Sequence, residues 1–182
     1  FDGNGHSIKN LRMNNTNNEG QYKCAGLFCK LENAIVKNLV IDSSCSFNGS
    51  SAGALSVLAS GSLSVKNITS MAQTIGRICA SGFVGTFEEG VFVHFDGCKN
   101  QGEVTGLGSV GGFVGIFHKS TNGNFSVSEC VNEGEVSGTN SVGGLVGEIR
   151  DNTDINVNIT SSINNDNVTG TSNSIGGFVG LF

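Results

Sequence analysis

The heptapeptide SVGGFVG at 109–115 returns as SVGGLVG at 141–147 and SIGGFVG at 174–180. Fainter copies are SGFVG at 81–85, AGAL at 52–55 and AGLF at 25–28. One glycine from each copy gives Gly26, Gly53, Gly82, Gly112, Gly144 and Gly177, at intervals of 27, 29, 30, 32 and 33 residues. A drifting period of this size is what a solenoid shows when its strands stay fixed and its loops vary. One unit cannot bury its apolar face alone, so the units must stack.

Counted from each glycine, offset one carries Leu27, Ala54, Phe83, Phe113, Leu145 and Phe178, and offset five carries Leu31, Leu58, Phe87, Phe117, Ile149 and Phe182. Offset three is small throughout: Cys29, Ser56, Gly85, Gly115, Gly147 and Gly180. Large, small, large at alternate positions is one face of a β-strand, with the small member letting the wall bend or a facing group fit. A second strand is predicted through Ile41, Ile68, Phe95, Val127 and Ile159. A third runs through Phe47, Val104, Val136 and Val168, each followed two residues later by glycine. Three strands per coil with glycine corners predict an all-β chain, a right-handed parallel β-helix (solenoid) of about six coils. The repeats fall near 1–32, 33–60, 61–90, 91–123, 124–154 and 155–182. The 28 glycines oppose a helical repeat, and the absence of proline suits strands paired on both edges. Phe1 opens inside a repeat motif and Phe182 closes in the aromatic column, so the segment is expected to belong to a longer array or to stack on copies of itself.

Composition narrows the partners. Charged residues are 14% of the chain, the net charge is −5, and Lys and Arg form no cluster, which argues against nucleic acid and anionic membranes. No apolar run reaches spanning length, so membrane insertion is not expected.

The FDGNGHSIKNL opening, the AGLF and GGFVG anchors and the NAIVKNLVI segment resemble the GLUG-type repeats of bacterial and protist surface proteins. Cys29 and Ser56, where later coils have glycine, depart from that pattern. The resemblance implies an extracellular or cell-surface, adhesin-like β-helix and brings no catalytic residue with it.

Candidate chemistry is sparse. His6, His94 and His118 show no ligand spacing to another His, Cys or carboxylate, and no H-E-x-x-H, G-x-S-x-G or P-loop is present. Glu103 and Glu135 share a column one coil apart, flanked by Glu133, and at about 4.8 Å of rise they approach the spacing of a retaining glycosidase pair. Duplication of a G-E-V motif explains that spacing without function, so they are read as solvated. DGNG at 2–5 lacks the later ligands of a calcium loop and reads as a polar turn. Neither a cofactor nor a metal is expected.

Cys98 and Cys130 each precede an anchor glycine by fourteen residues, which stacks them in neighbouring coils as a thiol pair or a disulfide. Cys24, Cys29, Cys45 and Cys79 show no such match and read as small buried thiols. Asn100, Asn132 and Asn164 form a structural amide column. Sequons at Asn14, Asn48, Asn67, Asn124, Asn158 and Asn167 are candidate N-glycosylation sites, barely more than composition alone supplies. Offset two carries an apolar stripe, Phe28, Leu55, Val84, Val114, Val146 and Val179. Either the glycine corner tucks it inside, or strict alternation exposes it as a lateral interface.

These features point to a non-enzymatic structural or adhesive segment of a surface protein, with fibre formation open to it. Its expected partners are flanking repeats or copies of itself, and glycans or a host surface. The alternative is a carbohydrate-binding or carbohydrate-cleaving β-helix, which would gather charged residues on one wall.

Overall fold

The structure, a computed structural model, describes residues 1–16, 24–89, 92–118, 123–150, 155–171 and 174–182. Among them no helix occurs, and the strand pairs are parallel, gathered into sheets of 13 and 10 strands. The chain is a right-handed parallel β-helix. The column Met13, Phe47, Thr74, Val104, Val136, Val168 takes one member from each of six coils.

A coil has more pieces than the three strands expected. The fifth runs Asn124–Ser128, Val131–Asn132, Val136–Gly138, Ser141–Gly143 and Val146–Arg150. The Gly-Gly corner folds Ser141–Gly143 back on Val146–Arg150, and the same happens at Ser109–Gly111 and Val114–His118. There the two backbones press together. A Cβ on Gly115 would stand 2.6 Å from Gly85 O and 3.1 Å from Cys79 Cβ, and one on Gly147 2.6 Å from Val110 N. At Gly115 and Gly147 the small residue therefore answers to a close backbone approach, whereas the second coil places a buried valine, Val57, in the same column between Cys29 and Gly85.

The expected register needs two corrections. Gly53 lies opposite Ser81 rather than Gly82, so Ser56, not Leu55, shares a column with Phe28 and Val84, and Ala59, not Leu58, pairs with Phe87. The lone glycine of AGAL takes the place of the first glycine in the later Gly-Gly pairs. A Cβ on Gly53 would stand 2.6 Å from Gly85 N, much as one on Gly111 would stand 2.7 Å from Gly147 N. In the second strand, Val36 and Val65 share the column of Phe95, Val127 and Ile159, whereas Ile41 and Ile68 belong further along.

The offset-two stripe is not an outer interface. Leu55, Val84, Val114 and Val146 are fully buried, and Phe28 and Val179 pack against the same core. Alternation fails at the corner because successive amides turn to one acceptor. Leu55 and Ser56 both donate to Phe83 O (3.1 and 2.9 Å), and Phe113 and Val114 both donate to Leu145 O (2.9 and 3.0 Å).

Aromatic rings stack along the axis inside: Phe83 on Phe113 with centroids 4.8 Å apart, and Phe87 on Phe117 at 5.3 Å. Beside them the column Ile8, Ile41, Ser70, Asn100, Asn132, Asn164 changes from apolar to amide. Asn100 Nδ2 donates to Asn132 Oδ1 (2.8 Å) and Gly102 O (3.0 Å), and Asn132 Nδ2 to Asn164 Oδ1 (2.8 Å) and Gly134 O (2.9 Å). This ladder presses on the anchor glycines: a Cβ on Gly112 would stand 2.6 Å from Asn132 Oδ1. At Gly82, Gly112 and Gly144 an interior amide and the carbonyl of the next anchor glycine together leave no room for a side chain.

Candidate functional site

The carboxylate column lies on an open wall. Val104 pairs with Val136, which sets Glu103 beside Glu135 one coil apart, both exposed. Glu103 accepts from Gln73 Nε2 (3.0 Å) and Thr105 Oγ1 (3.2 Å). Glu133 accepts from Gln101 Nε2 (2.9 Å) and Lys99 Nζ (3.0 Å), and these bonds hold it below the usual carboxylate range. A glycosidase acid needs a carboxyl kept protonated in a desolvated place. Glu133 is held the opposite way, as an anion. At the other end DGNG is not a free turn but opens the strand Asp2–Ile8, with a register irregularity between Asp2 and His6, and Asp2 Oδ1 accepts from the Asn4 amide (2.9 Å) and Asn38 Nδ2 (3.0 Å). Among the described residues no three His, Cys, Asp or Glu side chains gather as a metal site requires.

A denser cluster escaped the sequence reading. In the strand Phe92–Asp96, Val93 and Phe95 point into the core, so Phe92, His94 and Asp96 share the outer face. The next coil sets Asn124, Ser126 and Ser128 beside them in register. His94 Nδ1 lies 2.6 Å from Ser126 Oγ, His94 Nε2 lies 4.0 Å from Asp96 Oδ2, and Ser128 Oγ donates to Asp96 Oδ1 at 3.1 Å. Lys66, one coil earlier, brings its Nζ to 3.8 Å from Asp96 Oδ2. The signal was H-F-D at 94–96 above S-V-S at 126–128, visible once outward positions are compared between coils rather than along one.

Serine, histidine and aspartate in contact invite a nucleophilic reading, but acyl transfer also needs donors aimed at the developing oxyanion. The strand Asn124–Ser128 is paired along its whole length to both neighbours, so its amides are committed to the ladder. What remains is a flat array of oriented hydroxyl, imidazole and carboxylate groups, suited to holding a polar ligand.

Inside, Cys98 and Cys130 stand in neighbouring coils as buried free thiols, in the column of Leu39 and Ile68, and the Cys98 amide donates to Cys130 Sγ (3.3 Å). The side-chain contact with the Cys98 thiol and burial push the Cys130 thiol far up, and the Cys98 amide offsets this only in part. Burial likewise raises Cys79, which lies 3.2 Å from Thr86 Oγ1. Cys45 is buried and free, but Cys24 and Cys29 are joined by a disulfide, which corrects their reading as thiols. Their column offsets differ because the bond lies within one coil, where a comparison between coils does not look.

Glu148 is the one buried carboxylate among the described residues. Burial pushes its carboxyl up, but Arg150 (2.7 Å to each oxygen), the Ser109 hydroxyl (2.6 Å) and the charge of His118 outweigh that and leave it below the usual range.

Of the sequon asparagines, Asn14, Asn67, Asn158 and Asn167 are exposed and Asn48 and Asn124 are half-buried. Asn67 Nδ2 bonds Asn38 Oδ1 (3.4 Å) at a corner, and the Asn124 Oδ1 is buried with no partner among the described residues.

No protein-family model and no curated protein matches this chain. A solved structure, of a candidate immunoglobulin A1 protease from Bacteroides ovatus, is similar over the whole chain, with a TM-score of 0.66 and 19% identity. The chain spans 58% of that protein's length. At this identity the likeness is one of fold.

Proposed function

We propose that the chain is a non-enzymatic structural or adhesive segment of an extracellular or cell-surface protein. The observation that supports this most is the flat outer wall at His94 and Ser126, which is rich in polar groups and has its strand amides committed to the ladder. The other reactive groups serve the stack: the thiols lie in core columns and Glu148 is tied to Arg150 and Ser109. Rigid polar walls on a continuous core make a good spacer and a good contact surface. Further coils, in the same polypeptide or in copies of it, are the proposed axial partners. The sixth coil offers Ile163, Ile175, Phe178 and Leu181 at 42–55% exposure. Concentration-dependent association in sedimentation velocity is the expected behaviour, and a strict monomer at millimolar concentration would remove that partner.

The competing enzymatic reading draws on the name of the Bacteroides ovatus protein and on the Ser126–His94–Asp96 contacts. It is tested by incubating the chain with immunoglobulin A1, casein and a panel of plant and bacterial polysaccharides. No cleavage is expected, and beads coated with the chain should attach to cells. Cleavage abolished by Ser126→Ala or by Glu103→Gln would replace this proposal with a hydrolase.

A further inference from the structure

The outer wall around Phe92 has a composition that selects one class of ligand. Phe92 keeps 58% of its surface exposed while its neighbours Val93 and Phe95 are buried. Its ring therefore stands on the same face as His94 and Asp96, held there by a strand that cannot rotate without exposing its core residues. Outward groups on this face repeat at about 4.8 Å between coils and about 6.6 Å along the strand. Aromatic ring, imidazole, hydroxyl and carboxylate are thus spread over a rigid plane at the scale of successive rings of a short oligosaccharide.

We infer that Phe92, His94, Asp96, Ser126 and Ser128 form a binding site for a neutral oligosaccharide. This rests on the adhesive reading and names the partner for it. A pyranose has an apolar C–H face and a rim of hydroxyls that donate and accept. In an oligosaccharide the C–H face of one ring packs on the exposed Phe92 ring, and hydroxyls of that ring and the next meet His94, the Ser126 hydroxyl and, about 13 Å along the strand from Phe92, Asp96. Ser128 already fixes one Asp96 oxygen (3.1 Å), and His94 and Ser126 fix each other (2.6 Å), so little side-chain freedom is lost on binding. Charge disfavours anionic ligands. Asp96 faces Lys66 and His94, which leaves the wall close to neutral, and the chain as a whole carries −5. A protein partner would look for a broad apolar patch with several anchors, whereas one phenylalanine stands here among polar groups.

The test is titration calorimetry of the whole chain with cellohexaose, mannohexaose and a tri-N-acetyllactosamine, alongside attachment of coated beads to cells. At least one of these sugars should bind. Phe92→Ala should weaken that binding at least tenfold, and Asp96→Asn several-fold. Leu107→Ala, at an exposed corner outside this face, should leave it unchanged and shows that loss of an apolar surface residue is not the cause. Binding that survives Phe92→Ala and Asp96→Asn together would overturn the site. If no sugar binds while beads still attach to cells, the glycan assignment falls and the adhesive reading stands. If neither occurs, the adhesive reading falls with it.

Discussion

Replacing Asn132 by alanine removes the middle rung of the interior ladder. Its amide accepts from Asn100 Nδ2 (2.8 Å) and donates to Asn164 Oδ1 (2.8 Å) and Gly134 O (2.9 Å), in a fully buried position. Each bond is worth about 1 kcal/mol net, and a buried carbonyl left without a donor costs about 1–3 kcal/mol more. Asn100 keeps Gly102 O, so its loss is partial, but Gly134 O loses its side-chain donor. The expected destabilisation is about 3–5 kcal/mol, a large part of the ~5–15 kcal/mol that holds a typical domain. Asn164→Ala is the internal control. Asn164 is only half-buried, and without it Asn132 still bonds Gly134 O, so about 1 kcal/mol is expected. Urea unfolding followed by circular dichroism gives the two midpoints, and hydrogen exchange at 131–134 shows where protection is lost. Equal and small effects of the two variants would mean that the amides decorate the stack without supporting it.

Glu129 adopts φ +52° in a corner column whose other members include Asn67 at +51° and Gly97 at +59°. Glu129→Gly should therefore raise the melting temperature through relief of about 1 kcal/mol of left-handed strain, and a lowered value would refute this. With no reductant present, thiol reagent should find the four free cysteines inert in the native chain and all four reactive in denaturant, because all four are buried out of its reach. Early reaction at Cys98 or Cys130 would contradict their place in the core. Glu148 is held below its unfolded range by Arg150 and Ser109 against burial, so its contribution is present at neutral pH and is lost as pH falls through its folded value. The urea midpoint should drop on going from neutral to acid pH, and Glu148→Gln should make that drop smaller.

Stacking and direction were legible because a conserved strand face at a drifting period leaves few alternatives: Val104, Val136 and Val168 form one column in the sequence and in the structure. The register failed at Gly53 and Ile41 for a local reason. Both lie in the second coil, where Ala54 and Ile41 itself stand in place of the later glycine and asparagine, so the markers that fix the frame elsewhere are missing. The His94–Ser126 cluster was hidden because its members are apart in sequence and adjacent only across a coil boundary. The Cys24–Cys29 bond was hidden for the opposite reason, being local in a chain read by its long period.

The in-register stack itself is open to one distance measurement. Asn48, Ile75, Thr105, Ser137 and Thr169 form a single outward column, so spin labels at Asn48→Cys and Thr169→Cys are separated by four coil rises. At about 4.8 Å each, one narrow distribution near ~20 Å is expected from double electron–electron resonance. A broad distribution, or one centred beyond ~30 Å, would contradict a continuous parallel stack with this register.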